Sequence, residues 1–190
     1  MKSGGLSPTL WRTCRVLAGP TRLRLLDLVR AKPLRTVSEL ADRAGLKLSR
    51  ASQELRRLHS RGLLQAVRSG RQVQYQAAPD PLVRSAKPLL EALNCSLQRH
   101  SPAECVRIAS AFSHPRRLLL ARVLMGHPRT PEELLAMTGI PRVSLMRHLR
   151  ALRSRGLVAR EGRVFYLQPD PHPLARCLGL LIREITLAGA

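Results

Sequence analysis

The feature that most constrains this chain is a diverged second copy of its own sequence. Leu55-Arg56-Arg57-Leu58-His59-Ser60-Arg61-Gly62-Leu63 returns as Leu149-Arg150-Ala151-Leu152-Arg153-Ser154-Arg155-Gly156-Leu157, with seven of nine positions identical at an offset of 94. The same offset pairs Thr36-Val37-Ser38-Glu39-Leu40 with Thr130-Pro131-Glu132-Glu133-Leu134, and Gly45-Leu46 with Gly139-Ile140. Upstream Pro20 pairs with Pro115; downstream Gly70-Arg71 pairs with Gly162-Arg163 and Pro79-Asp80-Pro81 with Pro169-Asp170-Pro171, so the offset drifts from 95 to 90. The drift places a one-residue deletion near Leu34 and a shorter hairpin in the second copy. A 190-residue chain built this way is expected to form two domains, 1–98 and 99–190, each near the lower size limit for burying a core unaided.

Within each copy the pattern reads as helices, a hairpin and a closing helix. Ser101-Pro102-Ala103-Glu104 is a capping box with Pro at the first helical position, and Ser7-Pro8 stands at the matching place upstream. A second helix is expected after Pro20 and Pro115, with Leu23, Leu25, Leu26 and Val29, or Leu118, Leu119, Leu120 and Leu124, as its apolar face. Thr36 and Thr130, each three residues before a Glu, cap a short third helix that stops at Gly45 or Gly139.

The fourth helix carries the chemistry. Ala51, Leu55 and Leu58, and likewise Leu145, Leu149 and Leu152, fall at i, i+4, i+7 and form one buried stripe. The opposite face bears Ser49, Arg50, Ser52, Gln53 and Arg56 in the first copy, and Arg142, Val143, Ser144, Met146, Arg147 and Arg150 in the second. Two helices joined by a short glycine-containing turn, the second basic on its outer side, make a helix-turn-helix. After Gly62 or Gly156 the period becomes that of strands: Leu63 to Val67 and Val73 to Gln76 across Arg68-Ser69-Gly70-Arg71, then Leu157 to Arg160 and Val164 to Leu167 across Glu161-Gly162. A basic hairpin after a helix-turn-helix is a wing, with Arg68, Arg71, Arg160 and Arg163 placed to meet a phosphate backbone.

Charge agrees with that reading. Lys and Arg number 33 against 12 Asp and Glu, a net +21, and 29 of the 33 are Arg. Counted by copy, 18 basic and 6 acidic residues precede Arg99 and 15 and 6 follow from it, so both halves are strongly positive, by +12 and +9. Arginine offers a permanent planar fork for phosphate oxygens and guanine edges, and the excess lies in segments apolar enough to fold, which points to nucleic acid. The alternative for any single arginine, Arg50 and Arg147 included, is a solvated helix face. Arg22, Arg24, Arg116 and Arg117 near the second helices are expected to add sequence-blind phosphate attraction.

These residues together resemble the ArsR-type (arsenic-repressor-type) winged helix-turn-helix transcriptional regulators. The carriers are Leu17-Ala18-Gly19-Pro20-Thr21-Arg22-Leu23-Arg24-Leu25-Leu26, the stretch from Glu39-Leu40-Ala41 to Leu58, and Gly62-Leu63 into the wing and Tyr75. In the second copy they are Phe112-Ser113-His114-Pro115-Arg116-Arg117-Leu118, Glu133-Leu134 and Gly156-Leu157-Val158 with Tyr166. The resemblance implies a mostly α fold with small β-hairpin wings, and dimerisation through first and last helices. In a fused chain those outer helices (Thr9 to Leu17 with Asp80 to Leu97; Pro102 to Phe112 with Asp170 to Ala188) would pack as an intramolecular pseudo-dimer, further self-association being left open. The recognition helices then differ, so an asymmetric double-stranded DNA operator is expected. Repression by occluding a promoter follows from the resemblance alone.

Many relatives sense metals or oxidants. The family's cysteine pair is absent, since residues 37–48 and 131–142 hold no Cys or His, and its closing-helix pattern is half present as Asp170-Pro171-His172, with Arg183 where the second His would stand and Leu82 where the first copy would need one. No metal and no cofactor are expected. Cys14, Cys95, Cys105 and Cys177 have no CxxC spacing and fall on or beside the outer helices, which leaves a redox switch open against small buried apolar residues. There is no apolar run long enough to span a membrane and no signal-peptide core near Met1, so a cytoplasmic protein without membrane contact is expected. No Gly-rich phosphate loop, carboxylate pair or Ser/His/Asp set argues for an enzyme. The competing reading is a winged-helix module for protein or RNA, although 3% aromatic content leaves little for base stacking.

Overall fold

Helix starts fall where the sequence puts proline, serine and threonine. In the computed structural model, which describes residues 9–184, the first run of elements is α1 (Leu10–Leu17), α2 (Pro20–Ala31), β1 (Arg35–Thr36), α3 (Val37–Ala44), α4 (Leu48–His59), β2 (Gln65–Ser69), β3 (Gln72–Gln76) and α5 (Ala86–Arg99). The second run is α6 (Pro102–Ala111), α7 (Pro115–Leu124), α8 (Pro131–Thr138), α9 (Arg142–Arg153), β4 (Val158–Glu161), β5 (Val164–Leu167) and α10 (Pro173–Arg183). Thr36, Ser101 and Thr130 close reciprocal capping boxes with Glu39, Glu104 and Glu133, satisfying two orphan amides at each start. Gly45 and Gly139 end α3 and α8 in the left-handed conformation. The Ser7-Pro8 start and the 185–188 part of the closing helix lie outside the described residues.

Several boundaries move. The first wing strand begins at Gln65, not Leu63, and runs on through Arg68 and Ser69, leaving Leu63 and Leu64 as buried plugs beneath the hairpin. α5 begins at Ala86 rather than Asp80, because the Asp80 carboxylate accepts the Leu82 amide and closes a turn there. α10 starts at Pro173 with His172 as its cap, the ring Nδ1 accepting from the Leu174 amide. A third strand escapes sequence reading altogether: β1 pairs with β3 (Arg35 opposite Tyr75), giving sheet order β1-β3-β2, while the second copy keeps only a bridge between Arg129 and Phe165 beside the two-stranded β4-β5 sheet. Two residues are too few to show a period. The extra residue of the first copy sits at this point: Leu34 has a φ of 61° and donates its amide to Tyr75 at 2.9 Å.

The expected stripes are the core. Ala51, Leu55, Leu58, Leu145, Leu149 and Leu152 are fully buried, each leucine contributing about 1.5–3 kcal/mol. α3 packs on α4 and α8 on α9, while α1 and α2 lie against α6 and α5 lies against α10. One apolar cluster therefore runs from Cys14 and Leu17 through Ile108 and Phe112 to Leu178 and Ile182. Among the described residues no helix is long and apolar enough to cross a membrane.

Candidate nucleic-acid interface

Burying the leucine stripe of α4 turns its other face outward. Ser49, Arg50, Gln53 and Arg56 are exposed and Ser52 is half-buried, its hydroxyl held by Arg56 Nη2 at 2.9 Å. On α9, Arg142, Val143, Arg147 and Arg150 are exposed, whereas Ser144 and Met146 are half-buried. Val143 is 86% exposed, an apolar side chain that nothing in the fold covers. All four wing arginines are exposed: Arg68 on β2, Arg71 in the turn to β3, Arg160 on β4 and Arg163 in the turn to β5. Arg160 is braced, its Nε donating to the Gly162 carbonyl at 2.9 Å and its guanidinium lying over the Phe165 ring.

The residue that sequence reading missed is Glu54. It lies on α4, is only 1% exposed, and binds Arg22 Nη1 at 2.9 Å, Arg50 Nε at 3.0 Å and Arg57 Nη1 at 3.1 Å. Burial opposes its charge, yet the hydrogen bonds and charges of Arg22 and Arg57 hold its carboxyl below the usual range. Arg50 faces Glu54 through Nε as an exposed ion pair and keeps both terminal nitrogens for a ligand. The spacing Arg50, Glu54, Arg57 was visible in the sequence; Arg22, 32 residues away, was not.

Arg22 and Arg117 are tied back onto the fold, Arg22 also pairing with Glu54. Arg22 folds back onto the end of α1, Nε donating to Val16 O at 2.5 Å and Nη2 to Arg15 O at 3.2 Å. Arg117 does the same on α6, donating to Ala111 O at 2.6 Å and Ser110 O at 2.9 Å. These guanidiniums cap orphan helix carbonyls, so both are structural. Arg24 reaches the Arg43 carbonyl at 3.1 Å, and Arg116 stays exposed.

The second copy replaces Glu54 with His148. Its ring is 4% exposed, lies 4.5 Å from that of His114, and has a buried Nε2 with no partner among the described residues. Burial first, then the charges of His114, Arg117, Arg147 and Arg116, push His148 down to about 4, so it is neutral at physiological pH. Arg142 is shared with Glu132 at 3.1 Å, while Arg147 and Arg150 have no ion-pair partner among the described residues.

The half-present metal pattern has a structural use. Asp170 accepts the His172 amide at 3.0 Å and pairs with Arg107 at 3.1 Å, which ties the wing's exit to α6. His172 faces His100, ring centroids 4.3 Å apart, and lies 3.9 Å from Cys105 Sγ, but among the described residues no three His, Cys, Asp or Glu form a metal-holding group. Burial pushes the Cys105 and Cys177 thiols up to about 11 and raises Cys14 further, so these three are poor nucleophiles; Cys95 is half-buried.

Two helices and a basic hairpin thus follow one another twice, as α3-α4-β2-β3 and as α8-α9-β4-β5. Residues 19–66, from the start of α2 to the start of β2, match the family model described as Bacterial regulatory protein, arsR family. The match covers 48 of 190 residues, all in the first run of elements, and supports an ArsR-type helix-turn-helix regulator, a class that binds DNA to regulate transcription. No curated protein matches the chain.

Proposed function

We propose that this chain is a sequence-specific double-stranded DNA-binding transcriptional regulator, acting in the cytoplasm as a repressor, with no catalytic activity and no cofactor. It consists of two winged helix-turn-helix domains, 1–98 and 99–190, paired as an intramolecular pseudo-dimer. The observation that carries the reading is that α4 and α9 each bury a leucine stripe and turn arginines outward beside a hairpin that carries two more. Packing of α1 on α6 and α5 on α10 supports the pairing, since these are the outer helices that single-copy relatives of this type are expected to join.

In this reading Ser49, Arg50, Ser52, Gln53 and Arg56 face one half-site, and Arg142, Val143, Ser144, Met146, Arg147 and Arg150 face the other. The wing arginines hold phosphates, as most protein–DNA hydrogen bonds do. Selecting bound duplexes from a random pool tests it: two unlike half-sites about one DNA turn apart are expected. Recovery of a perfect palindrome would refute the asymmetry, and equal affinity for every DNA and RNA duplex would refute specific DNA recognition.

A further inference from the structure

The two copies differ most where the fourth helix meets the wing. In the second copy a cleft of about 520 Å³ opens between α9 and β4, lined by Arg150, Arg153, Ser154, Val158, Ala159 and Arg160. Arg150 and Arg153 stand three residues apart and share one face of α9, and Arg160 comes from the neighbouring strand. No acidic side chain lines the cleft, and neither Arg150 nor Arg153 has an ion-pair partner among the described residues. Arg160 is held at Nε by the Gly162 carbonyl, so its terminal nitrogens remain for a ligand. Three guanidiniums converging without a counter-charge are complementary to a tetrahedral oxyanion.

Among the described residues the first copy does not repeat this cluster of three arginines. At the offset of 94 the corresponding residues are Arg56, His59, Ser60, Leu64, Gln65 and Ala66, with one permanent charge in place of three. Arg56 is bound to Ser52, and His59 stands edge-on to Tyr75 with centroids 6.5 Å apart. What the first copy has instead is Arg50, ion-paired with buried Glu54, where the second has Ser144.

We infer that the α9–β4 cleft is a phosphate site, filled by the DNA backbone whatever the sequence, so that the second copy grips the duplex backbone more firmly than the first beside its own reading residues. This rests on the reading of the chain as a duplex-DNA binder. The position favours a phosphodiester, because the strand backbone must pass between a recognition helix lying in the major groove and its wing.

The test is fluorescence anisotropy of the full chain with labelled duplexes, one selected and one random, over a series of salt concentrations. The variants are Arg150→Ala/Arg153→Ala/Arg160→Ala, Arg153→Gln alone, and His59→Ala as the first-copy control. The triple variant is expected to bind both duplexes about 10- to 100-fold more weakly, with a salt slope shallower by about one to two and an unchanged ratio between duplexes. Arg153→Gln is expected to move the same way by a smaller amount, which keeps the test open if the triple variant does not fold; His59→Ala keeps the wild-type slope. Wild-type binding with an unaltered slope in the folded variants overturns the cleft alone, whereas a wild type that binds no duplex overturns the functional reading with it. Titration with inorganic phosphate separates the sources: binding that the triple variant loses while its DNA slope stays at the wild-type value assigns the cleft to a free anion and overturns the backbone assignment.

Discussion

Replacing Glu54 with Gln tests whether charge fixes the first recognition helix. The carboxylate holds Arg22, Arg50 and Arg57 at 2.9–3.1 Å, but these partners are unequal. The side chains of Arg50 and Arg57 are 60% and 56% exposed, so each pair is screened and contributes a few tenths of a kcal/mol. Arg22 is 19% exposed, and loss of its anionic acceptor costs about 1–2 kcal/mol. The amide oxygen keeps one acceptor in place, so the total is expected near 2 kcal/mol, below the 3–5 kcal/mol typical of breaking a fully buried pair. Urea denaturation at pH 7 measures it. The sign with pH is fixed: the folded pKa is depressed, so the contribution is present above the unfolded carboxylate value and is lost as pH falls through the folded one. The gap between wild type and variant must therefore close below about pH 4. The ratio of selected to random DNA binding should also fall, by about twofold at most, since an ion pair worth a few tenths of a kcal/mol restrains Arg50 by no more than that. A gap that is absent at pH 7, or independent of pH, would refute the reasoning.

Three further outcomes are expected. His148, pushed down to about 4, favours the fold only when neutral, so stability is complete above about pH 6.5 and declines toward pH 4, by on the order of 2–3 kcal/mol. His148→Leu, which removes an unpartnered buried nitrogen, should flatten that decline in urea midpoints while matching or exceeding wild-type stability at pH 7.5; an unchanged decline would place its origin elsewhere. Gly62 and Gly156 both have φ near 70°, but a Cβ on Gly62 would meet Val83 at 2.8 Å, whereas on Gly156 it meets only Arg107 at 3.6 Å. Alanine should cost about 1–2 kcal/mol at Gly156 and about 1–3 kcal/mol more at Gly62, and equal melting shifts would contradict this. Cys14, Cys105 and Cys177 should react with a thiol reagent at pH 7.5 about 100-fold more slowly in the native chain than in urea. Rapid reaction accompanied by loss of DNA binding would revive the redox switch.

Local rules carried most of the fold. The threonine and serine caps and the leucine stripes act over three to seven residues, and they sit where such rules put them. Boundaries governed by longer range were less legible. Asp80 delays α5 through a turn that competes with helix, and β1 exists only because β3 offers it an edge. At the interface, outward-facing arginines followed from the period of α4 and α9. Which arginines elsewhere are spoken for did not: Arg22 on α2 and Arg117 on α7 look like their neighbours in sequence, and only the return of the chain past the ends of α1 and α6 turns them into caps. Glu54 was overlooked for a related reason. A lone acid on a basic helix reads as surface until a distant guanidinium closes over it.

Because only His100 and Ser101 separate α5 from α6, every substitution in this chain lands on one side of the joint alone. In an assembly of two identical chains, a change that sharpens one reading head alters the other at the same moment, and the two can never specialise. Here the positions of Glu54 and His148, or of Ala66 and Arg160, differ, and a change at one leaves the other untouched. In the proposed reading, covalent joining also fixes the ratio of the two reading heads at one to one however dilute the protein becomes, so their differences are never averaged by exchange of partners.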